Sequence, residues 1–504
     1  LKPTQTSGSP ASPGKSQADA LCFYSAEQLV AGFRRREFST VEVMTAVFDR
    51  IDAINPSINA YVTVARDEAM DGAHAAQRHL DAGADIGPLH GVPVSIKDVT
   101  PTKGIRTTWA SKVYEHHVPD EDALAVERLK AAGAIVIGKT NTPEFAAGGH
   151  TFNSLFGPTR NPWNLALSAG GSSGGAAAAV ATGMGPLAEG SDLGGSLRTP
   201  AAFCGVVGFR GSPGLVPMYP STTAWNSLTV QGPIARTVGD VALMLGVLAG
   251  RDDRDPMSYD VDSQAFLKAA HAPAISGARI AWTPDLNGLL PVEPEIVAVA
   301  GQSADMFRRM GATVEDACPS FAELDDIVRG TRGVAMVAAH AAKLETWRDQ
   351  MQAGLIWNIE QGLSLTPTDI ARAEIARTTL WHRVRLFMED YDFLILPGTA
   401  VSPFPVETDY PTEIAGRKLD NYMEWFYLTY AISVTALPVI SVPCGFTKSG
   451  LPVGLQIVGR RRGEARLLAA AAAFERAYPW SQWRPAVLME HGLSSENPLS
   501  KRVE

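Results

Sequence analysis

From about residue 25 to residue 480, apolar positions recur in alternating helical and extended rhythms. Ser25–Gln28 and Ser39–Glu42 each place a hydroxyl three residues ahead of a Gln or Glu. That is the spacing of a capping box, in which the two side chains satisfy free backbone N–H groups at a helix start. Behind them Leu29, Val30 and Phe33, then Val43, Val47, Ile51 and Ile54, fall on one face, predicting two amphipathic helices. Short apolar runs predict buried strands over 91–96, 134–138, 278–282, 393–397, 439–443 and 454–458. Helical patterns cover 121–132, 237–249, 293–310, 333–352, 367–390, 420–434 and 463–477. Strands alternating with helices predict an α/β fold: a large mixed, mostly parallel β-sheet covered by helices on both faces. No linker breaks this pattern, so a single domain is expected over 21–485, with an N-terminal arm at 1–20 and a tail at 486–504. The first 17 residues are rich in Ser, Pro, Gly and Thr, a composition of disordered segments.

Composition removes several function classes. Hydrophobic residues make up 45% of the 504 and charged ones 19%, enough to build a sizeable core. The net charge of −9 favours solubility and names no partner. The basic runs at 34–36 and 459–464 adjoin amphipathic helical patterns and read as solvated faces, so no nucleic-acid partner is expected. Cys22, Cys204, Cys318 and Cys444 are scattered, without CxxC or a nearby histidine pair, so neither a metal site nor a disulfide framework is expected. No apolar run reaches the roughly 18 residues of a membrane span. The expectation is a soluble protein, cytoplasmic rather than exported, acting as a monomer or homodimer.

The stretch "SAGGSSGGAAAAVA", 168–181, sets two serines among four glycines ahead of an alanine run. A phosphate cradle would need GxxxxGK[ST], but the next lysine is Lys268. "GSSGG" formally fits a nucleophile elbow centred on Ser173, which requires an acid and then a histidine downstream. His271, His340, His382 and His491 follow it, none at a recognisable strand end, and His340 and His382 fall in helical patterns. "GSDLGGSLRTPAAFCG", 190–205, offers another serine after two glycines, Ser196. The segment between reads as a helix (175–182), a strand (186–191) and a second helix opening near Ser196, which would bring two glycine-rich helix starts together. Free N–H groups at such starts suit a developing oxyanion. The candidate base is Lys97, at the end of the apolar strand in "LHGVPVSIKDVT". A lysine serves as a base only when its pKa is pushed down; the plainer reading makes Lys97–Asp98 an ion pair at a strand end.

The motifs "GVPVSIKD" (91–98), "GIRTTWAS" (104–111), "GKTNTPEFA" (138–146), "FGPTRNPWN" (156–164), "GGSSGGAAAAVA" (170–181), "GSDLGGSLRTPAAFCGVVGFR" (190–210) and "GPIARTVGDVALML" (232–245) together resemble the amidase signature family. Looser similarity continues through 437–446 and 452–459, so the resemblance covers about 25–480. It implies the amidase signature fold and a Ser–cis-Ser–Lys triad: Ser196 as nucleophile, Ser172 as relay and Lys97 as base, with the cis bond between Gly171 and Ser172. It implies an oxyanion hole from the N–H groups of Leu193, Gly194, Gly195 and Ser196, with Ser173, Asp192 and Arg198 as supporting residues. Two departures, Ala169 where proline is common and "GFRGSPGLVP" at 208–217, fall outside the triad and bear on the loop over the site.

The resemblance implies a cofactor-free serine hydrolase of small-molecule amides, with carbamates (urethanes) and esters as related substrates. The segment after "TNTPE" lies against the acyl group in this family. Here Ala146, Ala147, Gly148 and Gly149 supply little bulk, while Leu215, Met218, Tyr219 and Trp225 of 211–225 would cover a wide apolar cleft suited to aryl or bulky amides. The alternative for that segment is a loop whose glycines serve backbone geometry. Two alternatives remain for the whole chain: the glutamine-hydrolysing component of a tRNA-dependent amidotransferase, and a catalytically dead binding protein.

Overall fold

Both capping boxes form in the computed structural model, which describes residues 15–493. Ser25 Oγ accepts the Gln28 N–H at 3.0 Å while Gln28 Oε1 accepts the Ser25 N–H at 2.8 Å. Ser39 and Glu42 repeat the exchange at 3.1 and 2.7 Å. The helices they open, Ala26–Arg35 and Thr40–Ile58, bury the expected apolar stripes.

The strands are β1 (Tyr61–Val64), β2 (Pro93–Lys97), β3 (Ile135–Thr140), β4 (Arg160–Asn161), β5 (Asn164–Ser168), β6 (Leu187–Asp192), β7 (Val207–Arg210), β8 (Val230–Ala235), β9 (Arg279–Trp282), β10 (Thr313–Asp316), β11 (Phe393–Pro397), β12 (Glu413–Ile414), β13 (Arg417–Lys418), β14 (Val439–Phe446) and β15 (Pro452–Gly459). Among the described residues, eleven of them form one sheet in the order β1-β3-β2-β6-β8-β7-β14-β15-β11-β9-β10. The sheet is mixed, as expected, but parallel pairing does not dominate. It is confined to β3-β2-β6 and β11-β9-β10. The centre is antiparallel, because β7, β8 and the β14–β15 hairpin reverse direction there. A hairpin can only join antiparallel neighbours.

Successive side chains alternate between the two faces of a strand, and the core follows. Ile135 and Ile137 of β3 join one apolar cluster with helices Thr40–Ile58 and Gly174–Ala181. Val136 joins another with helices Val238–Leu248, Pro294–Arg309 and Glu464–Ala477. Helices therefore cover both faces.

The chain ends differ from expectation where they are described. Lys15–Leu21, placed in the arm, is helical, and so is Ala486–Glu490, placed in the tail; residues 1–14 and 494–504 lie outside the described residues. No helix among the described residues is long and apolar enough to cross a membrane.

Candidate active site

β2, β3 and β6 run parallel, so their carboxyl ends meet at one edge of the molecule. Lys97 closes β2, and Ser191 and Asp192 close β6. The "GGSSGG" turn leads into helix Gly174–Ala181 and the "LGGS" turn into helix Arg198–Cys204. Ser173 ties the turns together: its N–H donates to Ser196 O at 3.2 Å and its Oγ to Ser191 O at 3.3 Å. The Gly171–Ser172 peptide bond is cis.

Burial grades inward from Ser196, partly exposed on a cavity wall, through Ser172 to the fully buried Lys97. Lys97 Nζ donates to Ser172 Oγ at 2.6 Å and to Ser191 Oγ at 3.0 Å. Asp98 is not its ion-pair partner; that carboxylate accepts from the Thr108 N–H at 3.1 Å and from the Thr108 hydroxyl. Burial pushes the Lys97 ammonium down to about 7, against the opposing pull of Glu189 and Asp192. Glu189 is buried too, and burial raises its carboxyl even though it accepts the Lys97 N–H at 3.1 Å and the Thr100 hydroxyl. Lys139 sits in the same polar layer, donating to Thr102 Oγ1 at 2.8 Å and to Thr100 O.

Asp192 braces the loop that carries Ser196. Its Oδ1 accepts from Gly195 N–H at 2.9 Å, Arg198 Nη2 at 3.0 Å and Arg210 Nη1 at 3.1 Å. Its Oδ2 accepts from Leu197 N–H at 3.0 Å and Arg198 Nε at 3.1 Å. Burial alone would raise this carboxyl, but the two guanidiniums hold it well below the usual carboxylate range. Arg198 continues to Thr429 O, Gln456 Oε1 and Ser433 Oγ. Gly195 has φ of 138°, and a Cβ there would lie 2.1 Å from Thr429 Oγ1, so only glycine fits. Because the Gly195 N–H is committed to Asp192, the expected oxyanion donors reduce to the N–H groups of Leu193, Gly194 and Ser196.

The cavity in front of Ser196 has a volume of about 160 Å³. Gly148, Gly149, Gly171 and Ser172 line it, with Phe145, Met336 and Phe426 as its apolar walls. Five residues expected to touch substrate do not line it. Ala147 packs on the Met336–Met351–Leu355–Ile359 cluster beside it. Leu215 is buried in the main core. Met218 lines a separate small cavity with Asp255, and Tyr219 lies under the Arg254 guanidinium at 5.1 Å. Trp225 is 79% exposed. Gly149 also answers to packing, since a Cβ there would lie 2.4 Å from Trp425 Cζ2.

Sequence reasoning missed Ser191, whose signal was its place in "GSDLGGS", and the wall contributed by helix Leu324–Trp347: Arg332, Met336 and His340. That helix lies more than a hundred residues beyond Ser196, and its pattern carries no mark of a cavity. Ser173 donates to a backbone carbonyl, not to an imidazole, which removes the nucleophile-elbow reading. His340 packs on Phe145 with the rings tilted at 46° and their centroids 4.8 Å apart.

Residues 42–468 match the Amidase family model. An acylamidase of Rhodococcus erythropolis is 40% identical over 469 residues, covering 92% of this chain and 98% of that protein. A glutamyl-tRNA(Gln) amidotransferase component of Thermosynechococcus vestitus is 36% identical over 479 residues, covering 90% and 97%. Among solved structures, a bacterial aryl acylamidase of the amidase signature enzymes superposes with a TM-score of 0.86 at 32% identity, covering 94% of this chain and 99% of that one.

Proposed function

We propose that this chain, which belongs to the amidase signature family and is an amide C–N hydrolase, cleaves aryl and other bulky amides through an acyl-enzyme on Ser196, with Ser172 and Lys97 as the proton relay. The observation that carries the reading is the buried contact of 2.6 Å between Lys97 Nζ and Ser172 Oγ, directly behind the cavity that Ser196 lines. Neutral Lys97 takes the Ser172 proton as Ser172 takes that of Ser196. Ser196 Oγ bonds to the substrate carbonyl carbon, and the N–H groups of Leu193, Gly194 and Ser196 hold the oxyanion. The carbonyl re-forms as the C–N bond breaks, and the proton on Lys97 returns through Ser172 to the leaving amine. Water then adds to the acyl-enzyme by the same relay and frees the acid. Carbamates and esters offer a similar carbonyl and follow the same path.

The aryl preference draws on the acylamidase relative, the aryl acylamidase structure and the walls made by Phe145, Met336 and Phe426. Incubating the purified chain with 4-nitroacetanilide should release nitroaniline, and a fluorophosphonate should label Ser196. No turnover of any anilide or carbamate, with Ser196 unlabelled, overturns the reading. The 36% identity to an amidotransferase component supports a second reading, glutamine hydrolysis as part of an assembly. Glutaminase activity of the lone chain exceeding its anilide activity would favour that reading.

A further inference from the structure

Arg332 is a buried cation without a carboxylate partner among the described residues. It lies in helix Leu324–Trp347, lines the Ser196 cavity and is 7% exposed. Its Nε donates to Asn358 Oδ1 at 2.7 Å and its Nη2 to the Tyr422 hydroxyl at 3.0 Å. Asn358 is held in turn by Gly354 O at 2.7 Å and by the same tyrosine. The other group beside the guanidinium is the phenol of Tyr430. All these partners are neutral. Three other buried arginines have a carboxylate at contact distance: Arg198 and Arg210 share Asp192, and Arg50 meets Asp19. Arg236, also buried, bonds three backbone carbonyls instead and does not line the Ser196 cavity.

Among the described residues, neither Arg332 nor His340 has a carboxylate partner. Met336 and His340 follow Arg332 at four-residue intervals, so the three share one helix face, the one turned to the cavity. Burial, then Lys343 and Arg332, push the His340 imidazole down to about 4, which keeps it uncharged. Its Nδ1 is buried and has no partner among the described residues. A buried charge without a counter-ion is costly. A guanidinium held by neutral groups on the wall of a cavity is preorganised for a planar anion, and a carboxylate is the group that fits it.

We propose that Arg332 binds a carboxylate carried by the amide substrate, so that the enzyme selects anionic amides over their neutral analogues. This rests on the Ser196 hydrolase reading. The carboxylate could be borne by the acyl part or by the amine part, and two substrate pairs separate these sources. The first is succinyl-4-nitroanilide against butyryl-4-nitroanilide. The second is 4-acetamidobenzoate against acetanilide.

In one pair the wild-type kcat/KM should favour the anionic member by roughly tenfold to a hundredfold, the range of a charge-assisted contact. In Arg332→Met that ratio should fall to about one. A loss of folding quality would depress both members alike and leave the ratio standing. A thermal-shift arm on the wild-type chain needs neither turnover nor a variant: benzoate or succinate should raise Tm, and benzamide or butyramide should not. A ratio near or below one in both pairs, or a preference that survives Arg332→Met, overturns the proposal, as does equal stabilisation by acids and amides. If every anilide resists hydrolysis while carboxylates still raise Tm, the hydrolase reading has failed and the carboxylate site has not.

Discussion

Lys97 Nζ and Ser172 Oγ lie 2.6 Å apart with exposures of 0% and 1%, so the contact proposed as the proton path is almost wholly withdrawn from bulk water. A base in that position has no solvent to replace it. Ser196→Ala should abolish fluorophosphonate labelling, and Lys97→Ala should lower kcat/KM by about 10³-fold or more near neutral pH. Groups that act as a unit are not additive, so the double variant should be little worse than either single one. Steady-state kinetics on an anilide checks all three, and more than a tenth of wild-type activity in Ser196→Ala would contradict the assignment.

The pH profile should report the same lysine. Burial lowers Lys97 to about 7, and only its neutral form can accept a proton. The neutral fraction grows as pH rises, so kcat/KM should climb through about pH 7 and level off above it. Lys97→Arg should not recover activity at any pH, since a guanidinium stays protonated in proteins. A flat profile from pH 5 to 9, or an active Lys97→Arg enzyme, would count against the relay.

Local sequence carried some of this structure and hid the rest for identifiable reasons. Helix Pro367–Asp390 matched its expected bounds because Thr366 caps it through Asp369 and Pro367 fits its first turn. Helix Leu324–Trp347 starts nine residues earlier than its pattern suggests, because Gly330 and Gly333 weaken the helical signal of its first turns. At the other end of the site, 420–434 yields a helix only over Tyr427–Val434. Upstream, Asn421 Oδ1 takes the Met423 N–H in a local turn. β8, with Gly232 and Pro233 inside it, has no alternating pattern to read, and it is one of the strands that make the sheet's centre antiparallel. The serines and Lys97 were legible as motifs. The depth of Lys97 was not, because it depends on β3 and β6 closing over both sides of β2.

Asp192 accepts five hydrogen bonds and donates none, so Asp192→Asn would turn an amide NH₂ toward N–H donors and leave two buried guanidiniums without a counter-charge. Breaking a buried ion pair from one side costs about 3–5 kcal/mol. Urea denaturation should show a loss of that order. Ser196 labelling should slow in parallel, because the same carboxylate holds Gly195 and Leu197 on either side of the nucleophile. Wild-type stability in the variant would mean that the brace is dispensable.

The cavity walls give a test that separates Phe145 from its neighbour Ala147. Phe145 and Ala147 both pack on the apolar cluster of Met336, Met351, Leu355 and Ile359, but only Phe145, between Tyr114 at 6.0 Å and His340 at 4.8 Å between centroids, also lines the cavity. Removing the Phe145 ring should therefore act on substrate. Phe145→Ala should reduce kcat/KM for an aryl anilide more than for a small aliphatic amide, by about 10- to 200-fold, the usual range for pocket-size discrimination. Adding a ring at Ala147 should act on the core instead. Ala147→Phe overpacks a filled cluster, a change that costs about 1–3 kcal/mol, so it should lower Tm while leaving the aryl-to-alkyl ratio near the wild-type value. Kinetics on both substrates beside a melting curve for each variant decides the matter. If Ala147→Phe shifts selectivity and Phe145→Ala does not, the two residues have been assigned to the wrong sides of the wall.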